Sequence, residues 1–410
     1  MTSPCRDLIH SMHCLLTGRW QVRRQVLLAV ASTPLLLFAP LFAGAATIVG
    51  NDVLSKPAPK VSPHIRPPIV AVTHSGEALL GVGPHGVILR SEDNGQNWSQ
   101  VPSPVSSDLV QVRFTDTKNG WIVGHDALLL HSGDGGRSWQ IRLDGRQVLV
   151  LLREHYSRAE KAGDQQAGDL LREIDLAMKT SATSDVLPTP LLDVAFDDKG
   201  NGFVVGAFGL MLHSTDAGAT WEPWIERSDN ERRMHLYGLA QDHGQFYACG
   251  EQGLLLRLNP ESQHFVKVET PYGGTFFGIA ARDGLLLAYG LRGNLYASQD
   301  DGRDWRKVET GLDSSVVGLV DEAGSLVLVS QSGQLAVLAR VHCWYGPLSR
   351  YAPAKFMRRA ELAEMAACLW LPTPAHGSCR SPQRNEPAAP LQRERRNGRA
   401  EIQQWNAGDP

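Results

Sequence analysis

The stretch SEDNGQNW, residues 91–98, sets Ser91, Asp93, Gly95 and Trp98 at offsets of 0, 2, 4 and 7. The same pattern returns three times. HSGDGGRSW carries Ser132, Asp134, Gly136 and Trp139; HSTDAGATW carries Ser214, Asp216, Gly218 and Trp221; ASQDDGRDW carries Ser298, Asp300, Gly302 and Trp305. Four copies of S-x-D-x-G-x-x-W make a repeat, and a repeat has a period.

Working outward from each tryptophan fixes that period. Twelve residues upstream sits Gly86, Ala127, Gly209 or Gly293, and three residues before that another glycine: Gly83, Gly124, Gly206 or Gly290. An apolar run such as GVILRS or GLMLHS lies between. The template also finds a worn copy, with Gly250, Gly253 and then Phe265 in the tryptophan slot, where Leu258, Pro260 and Ser262 replace the serine, aspartate and glycine. A truncated sixth copy begins at Ser330 and Gly333. Equivalent positions are separated by 41, 82, 44, 40 and 40 residues. Every unit opens with an apolar strand: IVAV (69–72), LVQVRF (109–114), LLDVAF (191–196), LYGLAQ (236–241), FFGIAA (276–281) and VVGLVD (316–321). Three further short strands complete each unit, so the expected fold is an all-β propeller, with six recognisable blades and seven expected.

The doubled spacing of 82 points to an insertion. Residues 148–180 carry apolar positions at helical spacing among charges and hold no proline, with Leu170, Leu171, Ile174 and Met178 on one face. The spacing predicts one or two amphipathic helices between blades 2 and 3.

Each slot of the repeated motif has a chemical reason. Aspartate and serine side chains accept backbone N–H groups in a tight turn. Glycine supplies a positive φ, and the tryptophan folds back as an anchor. The sixteen motif residues are therefore read as structural turns, with ligand binding the lesser alternative.

The motif resembles that of the Asp-box, or BNR-repeat, propellers. Two families carry it. One is the sialidase-like glycoside hydrolases, whose resemblance implies an arginine cluster and a tyrosine–glutamate pair. Arg66 in HIRPPIV, Tyr237 and Glu226 are the nearest candidates, but no aromatic precedes Arg66 and no further arginines complete a carboxylate grip. The other is the photosystem II stability and assembly factor family. That resemblance covers residues 60–340 and includes whole blades, with FTDTKNGWIVG and FDDKGNGFVVG after the opening strands. It implies an exported, non-enzymatic scaffold without cofactor or metal, a monomer that binds a membrane protein or a subunit of a membrane complex. Arg232 and Arg233 in SDNERRMH are the propeller-loop candidates for partner binding.

Composition agrees with a scaffold. A net charge of −3 gives no broad phosphate-binding surface, which speaks against a nucleic-acid partner. The six cysteines contain no CxxC, and the histidines form no HxxxH or HxH pair. Residues 1–46 hold Arg19, Arg23 and Arg24, an apolar run from Val26 to Phe42, then AGAA: a signal peptide or a membrane anchor, so a periplasmic or lumenal protein. The propeller proper is assigned to 65–340. Residues 341–410 turn rich in arginine, proline and alanine, and read either as a helical or disordered extension or as a shifted frame.

Overall fold

The computed structural model describes residues 52–62, 67–179, 181, 183–322 and 325–338. The leader, Arg66 and the tail 341–410 lie outside the described residues.

Six antiparallel sheets follow one another along the chain. The first contains β1 (Ala71–Ser75), β2 (Ala78–Val82), β3 (Ile88–Ser91) and β4 (Ser99–Val101). The second contains β5 (Leu109–Phe114), β6 (Gly120–Gly124), β7 (Leu128–Ser132) and β8 (Gln140–Leu143). Two helices intervene, α1 (Gly145–Lys161) and α2 (Gln165–Lys179). The third sheet holds β9 (Leu191–Phe196), β10 (Gly202–Gly206), β11 (Met211–Ser214) and β12 (Glu222–Pro223). The fourth holds β13 (Leu236–Asp242), β14 (Gln245–Gly250), β15 (Leu255–Asn259) and β16 (His264–Lys267). The fifth holds β17 (Phe276–Arg282), β18 (Leu285–Gly290), β19 (Leu295–Ser298) and β20 (Arg306–Val308). The sixth shows three strands, β21 (Val316–Glu322), β22 (Ser325–Ser330) and β23 (Leu335–Leu338).

Each sheet is a simple meander, with every strand paired to its sequence neighbour. The opening strands pack side by side in chain order: β1 on β5, β5 on β9, β9 on β13, β13 on β17 and β17 on β21. This is the blade arrangement of a propeller. Six blades are present among the described residues. Val72 of the first sheet is 59% exposed and Val320 of the sixth 46%, so the first and last described blades each keep an apolar flank open.

The core consists of one apolar layer between each pair of successive sheets. Leu80 and Ile88 meet Val112, Ile122 and Leu130 between the first two. Phe203 and Trp224 meet Phe246 and Phe265 between the third and fourth. Strand alternation explains the layers, since residues two apart share a face.

The insertion is part of this core. Asp144 caps α1 by accepting from the amides of Arg146 and Gln147, while Gln147 reaches back to the Asp144 amide. That capping box starts the helix three residues earlier than apolar spacing alone indicates. Gly163, at φ 99°, ends the first helix, and Asp164 accepts from the amides of Gln166 and Ala167 to start the second. Val148, Leu149, Leu152, Tyr156, Leu170 and Ile174 then bury against Trp221, Ile225 and Leu187.

Candidate functional site

A meander puts two sets of loops at opposite ends of each blade. The turns from first to second strand and from third to fourth lie at one end. The turns from second to third strand and the links to the next blade lie at the other, which also carries the insertion.

The repeated motif occupies the first end. In the second blade Ser132 Oγ accepts from the Gly136 amide at 2.8 Å and donates to Asp134 Oδ1 at 2.8 Å. Asp134 accepts from the amides of Arg137 and Ser138 at 2.9 Å and from the Ser138 hydroxyl at 2.6 Å. Ser214 and Asp216 repeat the scheme with Gly218 and Thr220. Ser91 and Asp93 repeat it with Gly95 and Asn97, and Ser298 and Asp300 with Gly302 and Asp304. The glycine φ values of 78–82° explain that slot. A Cβ on Gly218 would also stand 2.3 Å from the Trp121 ring. Each carboxylate thus spends its acceptor capacity inside its own turn. The Thr220 hydroxyl and amide, helped by Ser214, hold the Asp216 carboxyl down at about 2 against slight burial. Burial works to raise Asp134, but the Ser138 hydroxyl and amide with Ser132 outweigh it and hold it at about 2.

The tryptophans are less uniform. Trp139, Trp221 and Trp305 are buried, whereas Trp98 is 39% exposed. Three indoles donate to the motif glycine carbonyl, at Gly95, Gly136 and Gly302. Trp221 instead packs edge-on against Trp121 and Phe196, its ring nitrogen buried without a partner. In the worn fourth blade Phe265 fills the tryptophan slot, fully buried. Asn259 closes that turn by accepting from the amides of Glu261 and Ser262, one position earlier than the aspartate slot. The sequence template misses it for that reason.

Between the blades lies a cavity of about 810 Å³, lined in part by Phe114, Phe196, Leu239 and Ile279. Asp116, Asp197, Asp198 and Lys199 also line it, and so does Arg113 on β5, which pairs through Nε and Nη2 with buried Asp193 on β9 at 2.9 and 2.7 Å. Asp193 also accepts from the amides of Val194 and Leu239, so its acceptor sites are full. The Asp193 charge, opposed by burial, raises the Arg113 pKa further above its ordinary value. Sequence reading missed this pair. Its signal was a break in the repeat: Arg113 stands where the other opening strands have the uncharged Thr73, Ala195, Ala240, Ala280 and Val320.

At the insertion end, Arg232 and Arg233 lie in the link between β12 and β13. Arg233 Nε donates to Glu173 of α2 at 3.0 Å, and Arg232 Nη1 donates to Gln252 at 2.8 Å. A hollow of about 440 Å³ sits here, lined by Arg172, Glu173, Leu176, Glu231 and Arg233 among others. Leu176 is 63% exposed and Phe208 62%. Phe208 holds φ at 55°, uncommon for a bulky side chain, and its ring meets His235 edge-on at 4.8 Å. Glu226, the carboxylate proposed for a sialidase-type pair, does not meet Tyr237. It accepts the Tyr156 hydroxyl of α1 at 2.6 Å and lies 3.4 Å from His155 Nε2. Burial, then the Glu226 charge, pushes the Tyr156 hydroxyl far above the usual phenol range. Among the described residues no group of three or more His, Cys, Asp or Glu side chains could hold a metal ion.

Repeated blades, self-closed motif turns and a docked helical pair define an Asp-box β-propeller with a helical insertion. The family described as photosynthesis system II assembly factor YCF48 matches residues 91–154 and 180–342, more than half of the chain, and this chain belongs to that family. The break in the match falls within the insertion. Among curated relatives, the photosystem II assembly lipoprotein Ycf48 of Synechococcus sp. (strain CC9902) is 24% identical over 209 residues, 46% of this chain and 57% of that protein. The chloroplastic photosystem II stability/assembly factor HCF136 of Oryza sativa subsp. japonica is 26% identical over 213 residues, 45% of this chain and 51% of that protein. The photosystem II assembly protein Ycf48 of Synechococcus sp. (strain JA-2-3B'a(2-13)) is 30% identical over 173 residues, 40% of this chain and 51% of that protein. The chain therefore spans about half the length of the curated relatives it matches. Similar solved structures include YCF48 bound to D1 peptide, with a TM-score of 0.47, 16% identity and coverage of 73% of this chain and 87% of that one. YCF48 from Cyanidioschyzon merolae has a TM-score of 0.45, 14% identity and coverage of 66% and 81%.

Proposed function

We propose that this protein is an exported, non-enzymatic propeller scaffold that binds a membrane protein and aids assembly or stability of a membrane complex, as the relatives named photosystem II assembly factors do. The observation that carries the reading is the family match across the blades. The periplasm or lumen is its compartment, given the apolar leader and relatives named as lipoprotein and chloroplastic factors. Among the described residues no helix is long and apolar enough to cross a membrane.

The partner docks at the insertion end. The Asp-box carboxylates are committed to their own turns, while Leu176, Phe208 and Arg232 present apolar and cationic groups to solvent. Glycoside hydrolysis is the weaker reading, because Glu226 is engaged by Tyr156 rather than aligned with Tyr237. Affinity capture from the native cell after crosslinking tests the function. Recovery of a defined membrane-complex subunit, reduced when Leu176 and Phe208 are both changed to Ser, supports the scaffold. Release of sugar from glycoside substrates by the purified protein, abolished in Glu226→Gln, would replace it with the hydrolase.

A further inference from the structure

One irregularity recurs at the insertion end of five sheets. Where β5, β9, β13, β17 and β21 start, their pairing with the second strand slips by one residue. The extra residue is Val110, Leu192, Tyr237, Phe277 or Val317, apolar every time. A bulge re-aims its side chain, and none of the five belongs to the apolar layers between sheets. Val110, Leu192, Tyr237 and Phe277 are half-buried. Because the first strands pack side by side in chain order, these residues follow one another around the inner mouth of the propeller.

The turn from second to third strand adds one more side chain per blade at this end. His85, Asp126, Phe208, Gln252 and Arg292 hold the same place, each with φ of 54–58°. From the third blade to the fifth the two sets join. Phe208 meets His235 edge-on at 4.8 Å, His235 lies 6.0 Å from Tyr237, and Tyr237 meets Phe277 edge-on at 5.7 Å. The result is a continuous aromatic arc across three blades, with Phe208 62% exposed at one end.

Cations flank the arc. Arg232 reaches the neutral Gln252 at the tip of the fourth blade. Arg292, at the tip of the fifth, is exposed and has no carboxylate partner among the described residues. The nearby acids are placed elsewhere: Glu251 accepts from the His235 amide at 2.9 Å, and Glu231 lines the hollow with Arg172 and Arg233. In the second blade, outside the arc, the same place carries Asp126 instead.

We propose that this arc binds a peptide segment of the partner in which an apolar side chain neighbours a carboxylate. The proposal rests on the scaffold reading above and gives it a contact: the apolar side chain seats on Tyr237 and Phe277, and the carboxylate meets Arg232 or Arg292. Charge selects the occupant. Half-exposed rings gain from cover by an apolar group, and two arginines without acidic partners favour a carboxylate beside it. Aromatic and arginine side chains are also those that carry most binding energy at protein interfaces.

Selection of a random phage-displayed peptide library on the purified full chain tests the arc. The expected result is enrichment of peptides with an aliphatic or aromatic residue next to Asp or Glu. Synthetic copies should bind Phe277→Ser at least about tenfold more weakly than the parent. Phe208→Ser, whose ring is exposed and so adds little to folding, should weaken them too, with an unchanged denaturation midpoint. Reversing both cations, Arg232→Glu with Arg292→Glu, should cost about threefold or more. Enriched peptides that bind both serine variants as tightly as the parent would overturn the proposal. So would enrichment of basic peptides, or of none. Native-cell capture remains a separate readout. A captured subunit beside an arc that selects nothing removes the arc and leaves the scaffold; peptide binding at the arc without a captured subunit does the reverse.

Discussion

The two ends of this propeller use their polar residues in opposite ways. At the Asp-box end, Ser132, Asp134, Asp216 and their counterparts bond to backbone groups within four residues of themselves. At the insertion end the polar contacts join distant parts of the chain: Tyr156 with Glu226, and Glu173 with Arg233. The first kind closes a turn and leaves nothing over. The second holds an added element in place, beside apolar groups that remain exposed. Under the proposed function, architecture and recognition are divided between the ends.

The sharpest way to break that division is through the buried groups that join elements. Leu152 of α1 is 1% exposed within the layer containing Trp221, so Leu152→Ala should cost about 2–5 kcal/mol in chemical denaturation. Exposed Leu176 of α2 should change stability by less than about 0.5 kcal/mol when made Ala. Equal losses for the two would mean that the insertion is not anchored as described. Asp193→Ala comes next. It strands Arg113 and two buried amides, at a cost of roughly 3 kcal/mol, the low end for a broken buried pair because Arg113 keeps access to cavity water.

The Asp-box end offers a smaller and pH-dependent effect. Asp216→Asn should cost about 1 kcal/mol near neutrality, because the amide keeps one accepting oxygen but loses the charge that strengthens the bonds from Thr220. Because the folded carboxyl is held below its ordinary value of 3.8, at about 2, its contribution is fully present above the unfolded pKa. It is lost as pH falls from about 4 to 2. Denaturation midpoints measured across that window should fall more steeply for the parent than for Asp216→Asn. Parallel curves would show that the carboxylate is not serving its turn.

These comparisons also separate what the sequence made legible from what it hid. The turn bonds were readable because donor and acceptor lie within one motif, and the glycine-spaced repeat template gave the blades and the worn copy at Phe265. The insertion was readable from the doubled spacing, though its start at Gly145 depended on the Asp144 capping box. Contacts between Tyr156 and Glu226, or Arg113 and Asp193, span 70 and 80 residues, and no local pattern encodes such a meeting. Arg232 and Arg233 were found as a charged pair, but their differing partners, Gln252 and Glu173, only the fold could supply. The exposure of Trp98, against burial of Trp139 at the same slot, likewise follows from neighbouring blades rather than from the motif. Trp139→Ala should therefore cost about 3–5 kcal/mol and Trp98→Ala clearly less in the same denaturation assay.

The most direct measurement is site-specific photocrosslinking in the native cell. A photoreactive residue would be placed singly at Leu176 and Phe208 on the insertion end, and at Asn97 and Ala219, both exposed, on the Asp-box end. The account predicts that a membrane-complex subunit is captured from Leu176 and Phe208 and not from Asn97 or Ala219. Capture of that subunit from the Asp-box positions alone would contradict it.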